Sequence, residues 1–474
     1  MIFVVVSFAI LLGIAELWSR LGTPKPEWTR KLVHLGGGAI GVFLPWLIES
    51  PLVVFVLTAS LSALFVAGEK TGLLKSLHGV KRKSRGSEYY PLAIWLVFVI
   101  ASGRPAFYLA GVLVLALADA FAALIGSRYG TLRYEIEDEF KSVEGSIVFF
   151  FTAFLAVHLP LLLMTELPRA VCVLSALLVA MLVTLFEAIS LEGTDNLFVP
   201  IAVVFVLQKI TTKPLPHIAM QNVAFVCIVA LVLLLSWRIH WFNAGGAFAV
   251  TLFVFAAWSL GPRYRWAIPV FIGLAGLALA RFLVRRRGER RRLKVRAVTR
   301  TLIVPFLFLL AANMTGLFDL FYGPYLAACA AVFAFVAAGR HALLDGAFAA
   351  LLLALPMTLL YRATIPAVAA LVLVVALLAA VHARVADRRE WGAPSFLLAM
   401  LAGMLLLAAQ AAGVVSPWSS STPVEPSIVT VSPVFTSAVS PRMPTMVGMP
   451  ISRATMAEWE RIEPRSISSP EIDG

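Results

Sequence analysis

Apolar stretches of roughly 17–21 residues recur along this chain from residue 2 to residue 413, and each is long enough to cross a bilayer as a helix. Sixteen such spans can be placed, near residues 2–18, 32–48, 51–67, 91–102, 106–126, 145–163, 169–186, 198–208, 221–237, 242–260, 266–284, 299–316, 324–338, 346–360, 364–382 and 394–413. Two of them, 91–102 and 198–208, are short. The expected fold class is therefore all-α: a polytopic integral membrane protein of about 14–16 transmembrane helices. Composition agrees, since 60% of the 474 residues are apolar, 14% are charged and the mean hydropathy is +0.91. A soluble domain carries roughly 25% charge. The first stretch, "IFVVVSFAILLGIAELW", has neither a basic n-region nor a small-residue cleavage site, so a retained helix is expected.

The net charge of +13 would suit a nucleic-acid binder, but its distribution gives another account. Alternate loops collect most of the lysines and arginines, which is the positive-inside pattern. It puts the basic loops in the cytoplasm and both termini outside, in a multi-pass protein of the cell membrane with no nucleic-acid partner. Cys172, Cys227 and Cys329 stand singly in apolar segments, with neither a disulfide framework nor a metal-type spacing. Three regions are expected. Residues 1–220 hold nearly all the polar clusters, and 221–413 form a second transmembrane set rich in Ala, Leu and Val. Residues 414–474 are a Ser/Pro-rich tail with too little apolar periodicity to fold alone.

Four polar clusters interrupt the first region. In "TRKLVHLGGGAIG" (29–41), Arg30 and His34 are four apart and share a helix face. The same stretch also reads as a basic anchor on Lys31 followed by a small-residue packing face at Gly37 and Gly41. In "KRKSRGSEYYPL" (81–92), Lys81, Arg82, Lys83 and Arg85 form either a solvated basic loop or one that grips a polyanion. Asp119 lies inside an apolar span, where a carboxylate usually needs a cation, a metal or a proton path. After it, Gly126 and Gly130 open a loop that Lys141 and Glu144 close. Gly145 then permits close approach at a helix N-terminus preceded by Lys141 and Ser142, a suitable anion site. In "FEAISLEGTDNLFVP" (186–200), Glu187, Glu192, Asp195 and Asn196 are oxygen donors suited to Mg²⁺ shared with phosphates, although Asp-Asn is also ordinary turn chemistry.

On the expected topology all four clusters face the cytoplasm. Cations, carboxylates and glycines gathered against a membrane suit a charged phosphate donor and a lipid acceptor. Phosphoryl transfer asks for positioning, charge neutralisation and a metal. No Walker-type loop or protein-kinase signature is present, so the nucleotide site is of another kind. The pattern does not read out an oligomeric state.

Five blocks in this order, "RKLVH" (30–34), "SRGSEYYPL" (84–92), "DAFAALIGSRYG" (119–130), "KSVEGS" (141–146) and "EAISLEGTDNLFVP" (187–200), resemble the polyprenol kinase family: dolichol kinases, phytol kinases and CTP-dependent diacylglycerol kinases. The resemblance covers roughly the first 210 residues. It implies a membrane kinase that moves the terminal phosphate of a nucleotide, usually CTP, onto a long-chain alcohol with Mg²⁺ present. Arg30, Lys31, Asp119, Gly126, Lys141, Glu144, Gly145, Asp195 and Asn196 fall on the family's motif positions. The expected roles are catalysis for Asp119, Lys141 and Glu144, and metal binding for Glu187, Asp195 and Asn196. Nucleotide binding is expected of Arg30, Lys31, His34, Arg82, Lys83, Gly126, Lys141, Ser142 and Gly145. Ala118, Ala120 and Ala123 depart from the phytol kinase pattern, which bears on the choice of alcohol.

The second half, through "NAGGAFAVTLFVFAAWSLG" (243–261) and "RRRGERRRLKVRAV" (285–298), is loosely similar to the membrane family of phytyl-phosphate kinases. No acidic motif of that family follows, since Asp319 and Asp345 are isolated, so an accessory or degenerate half is expected. Two other functions compete. A cytidylyltransferase would join CMP to phosphatidate with similar demands. A transporter or flippase would place charges near mid-bilayer in both halves, whereas here they gather at one face of one half.

Overall fold

The computed structural model describes residues 2–22, 24, 26–71, 86–137, 139–240, 242–283, 292–337, 342–385 and 393–420. Arg82 and Lys83, most of the arginine-rich run before residue 292 and the tail from residue 421 lie outside the described residues. The chain opens with α1 (Ile2–Leu21), α2 (Pro26–Val42), α3 (Pro51–Thr71), α4 (Gly86–Ala101) and α5 (Pro105–Tyr129). A hairpin follows, β1 (Arg133–Ile136) and β2 (Glu139–Ser142), then α6 (Val143–Met164), α7 (Arg169–Ile189) and α8 (Asp195–Ile210). The second half continues with α9 (Leu215–Ile239), α10 (Ala244–Leu260), α11 (Ile268–Leu283), α12 (Val295–Thr315) and α13 (Phe318–Ala337). Next come α14 (Ala342–Met357), β3 (Tyr361–Arg362), α15 (Ile365–Val385), α16 (Ala393–Ala411) and β4 (Ser419–Ser420).

Every one of the sixteen apolar segments falls on a helix. Among the described residues, ten helices are long and apolar enough to cross a membrane, and four shorter apolar ones lie at Gly86–Ala101, Ala244–Leu260, Tyr264–Leu279 and Ala342–Met357. α2 and α8 belong to neither group; at 17 and 16 residues they are short, and they carry Arg30, Lys31 and His34, and Asp195 and Asn196, respectively. Prolines begin α2, α3 and α5, where the missing N–H is one that no helical partner would satisfy.

The described residues pack as one compact unit around two large apolar clusters. One runs from Val4 to Leu207 and the other from Val171 to Trp418. α7 serves both. Cys172, Ala176, Val179, Ala180 and Val183 enter the first cluster, while Val171, Leu178 and Leu182 enter the second. These are two stripes at helical spacing on one buried rod.

The stretch expected to be a loop between Gly130 and Lys141 is an antiparallel hairpin in which Arg133 pairs with Ser142 and Tyr134 with Lys141. It leans on α10. The Tyr134 and Phe248 rings meet edge to face at 5.9 Å, and Ile136 is fully buried.

The approach of α2 to α5, and to α4 beside it, is set by bare backbone. A Cβ on Gly38 would stand 2.3 Å from Ala116 Cβ, and one on Gly41 would stand 3.3 Å from Ile94 Cδ1. At Gly37 the nearest atoms are 3.5 Å away, so the small-residue face centres on Gly38, one position from the expected one. Gly38→Val should therefore cost about 1–3 kcal/mol through overpacking. It should lower the thermal midpoint and the yield of monodisperse protein in detergent, whereas Gly13→Val, with nothing within 4 Å, should leave both unchanged.

Candidate functional site

One cavity of about 530 Å³ gathers Arg30, Lys31 and His34 from α2, Asp119 and Gly126 from α5, and Lys141 and Ser142 from β2. Gly145 of α6, Glu187 of α7, and Asp195 and Asn196 of α8 join them, whereas of the other expected residues Glu144 does not line the cavity and Arg82 and Lys83 lie outside the described residues. The volume lies within the range of roughly 300–1,000 Å³ typical of small-molecule sites.

Asp119 sits directly after a π-helical turn, Val114–Ala118, within α5. Such turns shift the ladder by one residue and recur at functional sites. Lys31 Nζ lies 2.6 Å from Asp119 Oδ2, and His34 Nε2 lies 3.6 Å from the same oxygen. The imidazole is oriented by Leu115, whose carbonyl oxygen is 2.9 Å from Nε2. A carbonyl can only accept, so Nε2 carries the proton. The Tyr90 hydroxyl donates to the His34 carbonyl at 2.9 Å, and the two rings lie 4.6 Å apart. Tyr90 also lines the cavity.

The second charged pair joins the hairpin to α7. Lys141 Nζ lies 2.7 Å from Glu187 Oε1 and also donates to the Glu187 carbonyl. Burial alone would lower the Lys141 pKa, but the Glu187 and Asp195 carboxylates and the Glu187 hydrogen bond outweigh it and raise it. Lys141 is therefore cationic throughout the neutral range.

Ser142 is the N-cap of α6. Its Oγ accepts from the Gly145 N–H at 3.1 Å. Gly126 and Gly145 allow α5 and α6 to touch here, since a Cβ on Gly126 would meet Ser142 Oγ at 2.8 Å and Gly145 Cα at 3.3 Å. The two glycines are thus closely packed on each other as well as facing the cavity.

Glu144 is placed differently. Its Oε1 accepts from the Thr131 N–H at 2.9 Å, the Leu132 N–H at 3.1 Å and the Thr131 hydroxyl. It pins the turn before β1 and does not line the cavity. Among the carboxylates expected to take part in catalysis, Asp119 is the one that faces the space where a substrate fits.

Among the described residues no group of three His, Cys, Asp or Glu side chains is arranged to hold a metal ion. Glu187 is engaged by Lys141, while Asp195 Oδ1 is buried without a hydrogen-bond partner. A buried carboxylate oxygen in that condition has room for a cation or a water. Two protein oxygen donors with phosphate oxygens beside them suit Mg²⁺, which commonly takes only one or two carboxylates from protein.

Some lining residues escape a reading of charge clusters. Tyr90 belongs to the 84–92 block, whose neighbouring cations dominate its charge pattern. Arg133 reaches the cavity from β1, and only recognition of the hairpin register, which sets it opposite Ser142, could have found it. Phe8, Val33, Leu61 and Phe65 supply an apolar margin, and nothing separates them in sequence from other membrane-helix residues.

No protein-family model matches the chain, and no solved structure does. Over 190 residues, which are 40% of this chain and 81% of the relative, the sequence is 35% identical to a phytol kinase from Synechocystis sp..

The Lys141–Glu187 pair can be tested apart from any reaction. Side-chain exposures of 18% and 14% mean that Lys141→Ala leaves a carboxylate largely desolvated, at a stability loss of about 3 kcal/mol. Lys141→Ala combined with Glu187→Gln should recover most of that loss in thermal unfolding. The raised Lys141 pKa sets the pH dependence. While Glu187 is ionised, the pair's contribution should be present below the lysine's unfolded value and fall as pH rises through the folded one. A wild-type minus double-mutant difference that grew as pH rose through the folded lysine value would contradict this assignment.

Proposed function

The chain belongs to the polyprenol/phytol kinase family, and from that premise we propose that it is a lipid-alcohol kinase. It moves the terminal phosphate of CTP onto a long-chain isoprenoid alcohol at the cytoplasmic face of the membrane. The observation that carries this reading is the lining of one cavity. Four cationic side chains, Arg30, Lys31, Arg133 and Lys141, share it with Asp119, Glu187 and Asp195. Its apolar margin comes from Phe8, Val33, Leu61 and Phe65, of which the last three belong to one packed cluster between α1, α2 and α3. A polyanion and an alkyl chain can therefore meet in a single space.

Phosphoryl transfer needs placement and charge neutralisation more than covalent help from the protein. Arg30, Lys31 and Lys141 hold the phosphates, and the Ser142-capped start of α6 adds the positive end of a helix dipole. Asp119 orients the alcohol. As its oxygen bonds to the terminal phosphorus, the bond from that phosphorus to the bridging oxygen breaks, CDP departs and the hydroxyl proton passes to the Asp119 carboxylate. Lys31, 2.6 Å from that carboxylate, bridges base and phosphates. Mg²⁺ held by Asp195 and Asn196 with the phosphate oxygens supplies charge neutralisation when bound. The alkyl chain lies along Val33, Leu61 and Phe65.

The test is transfer from γ-labelled CTP, ATP or UTP, with Mg²⁺, to phytol, geranylgeraniol, dolichol or diacylglycerol in lipid micelles. Label is expected in an organic-soluble phosphate ester, with CTP the best donor and an isoprenoid alcohol the best acceptor. Label released only as pyrophosphate when phosphatidate is present would shift the reading to a cytidylyltransferase. Asp119→Asn and Lys31→Ala should each lower kcat by about 100-fold or more. Asp195→Asn should raise the Mg²⁺ concentration needed for half-maximal rate. Phe65→Ala should act on the acceptor's KM and leave that of the nucleotide unchanged.

A further inference from the structure

The hairpin that carries Lys141 and Ser142 is seated at its tip in the second half of the chain. Glu137, in the turn after β1, is only 9% exposed. Its Oε1 accepts a hydrogen bond from the backbone N–H of Arg296, in the first turn of α12. Lys294, the N-cap residue of α12, makes no side-chain cap for that helix, so the carboxylate arriving from the hairpin fills the position a cap usually takes. The Lys294 ammonium donates to the Glu137 carbonyl at 2.8 Å and lies 3.0 Å from Glu135 Oε1. Asn243, the N-cap of α10, directs its Nδ2 to the Glu135 carbonyl at 3.4 Å. Ile136 lies against Gly245 so closely that a Cβ there would stand 2.7 Å from Ile136 Cδ1.

The same short segment makes a second grip. Arg296 Nη2 lies 3.0 Å from Glu192 Oε1, and Glu192 precedes Asp195 by three residues in the turn that opens α8. Glu137 and Glu192 both have left-handed backbone, with φ of +53° and +57°. Residues with a Cβ seldom adopt it, and it persists where surrounding contacts over-determine the conformation. At Glu137 those contacts come from Lys294 and Arg296; at Glu192 the Arg296 ion pair is exposed and adds to the turn's own bond from the Thr194 N–H to the Leu191 carbonyl.

We propose that Lys294–Arg296, with Glu137, is a positioning element for the reaction, holding the hairpin of Lys141 and Ser142 and the turn before Asp195 in the register the cavity requires. None of these residues lines the cavity; they act through Lys141, Ser142 and Asp195. The consequence for catalysis rests on the kinase reading, whereas the grip itself is independent of it. It also gives the second half of the chain a task, since 60% of the sequence lies outside the matched stretch.

Two readouts on the full-length protein in lipid micelles test this. The first is hydrogen exchange of the amides of residues 131–142. Glu137→Ala should speed it on the order of tenfold, and Glu137→Gln, which keeps an acceptor oxygen, should restore most of the protection. The second is activity. Glu137→Ala should lower kcat by about tenfold with the acceptor KM unchanged. In a Lys141→Arg background the same substitution should cost little more, because it acts through that lysine. Arg296→Ala, which keeps the backbone N–H, should instead loosen residues 190–196 and raise the Mg²⁺ requirement. It also supplies the test if Glu137→Ala does not insert.

Unchanged exchange of the hairpin in Glu137→Ala, or an equal loss of kcat in both backgrounds, overturns the proposal. If the hairpin loosens as expected but the wild-type protein phosphorylates no alcohol, the grip stands and the kinase reading fails.

Discussion

A carboxylate inside an apolar helix is tolerable only against a cation, and the pairing of Asp119 with Lys31 is the contact on which the first half is organised. An unpaired charge in a membrane helix costs roughly 3 kcal/mol even on lenient insertion scales. α2 must therefore lie where the Lys31 ammonium reaches the start of the second part of α5. The rest of that contact follows from the placement. Gly38 admits Ala116, the π-helical turn leaves the Leu115 carbonyl where His34 can reach it, and Tyr90 closes over the imidazole. The close contact at Gly38 and the ion pair together fix the rotation of α2 about its axis.

The same economy of charge explains why the site lies at the ends of helices. Lys141 and Glu187 meet where β2 passes the last turn of α7, and Asp195 starts α8 beside them. Lys141 and Glu187 are largely but not wholly buried. The apolar margin from α1, α2 and α3 completes an amphipathic space. On the proposed reading, a soluble donor and a membrane-dissolved acceptor can react only where both can enter, which is a reason for ionisable groups to gather where helices end.

The membrane architecture was legible because hydrophobic length is a property of the chain alone: each of the sixteen apolar segments lies on a helix. The site's membership was legible in part. Arg30, Lys31, Asp119, Lys141, Glu187 and Asp195 share one cavity, and a buried charge in an apolar sequence is conspicuous. Pairing was not legible, because which cation meets which carboxylate depends on helix order and rotation. Glu187 reads as a metal donor until Lys141 is seen 2.7 Å away, and Glu144 reads as catalytic until Thr131 and Leu132 are seen to hold it. The hairpin escaped notice for another reason. Two four-residue strands rich in charge, "RYEI" and "EFKS", carry no alternation long enough to separate a strand from a polar loop.

That hairpin bears most directly on how the two halves relate. An isolated two-stranded ribbon is marginally stable at best, and this one would have to present a lysine to a cavity while ion-paired to a neighbouring helix. Its four paired positions cannot supply that rigidity. The buried Ile136, the Tyr134–Phe248 contact and the Glu137 cap of α12 can. All three use residues from both sides of residue 220. A boundary drawn there on composition cuts through the second apolar core, which takes in Val171, Leu178 and Leu182 of α7, and it does not separate the site from what holds it. The second half is then best understood as the wall against which the reactive hairpin is braced, and its lack of an acidic motif of its own is no obstacle to that role.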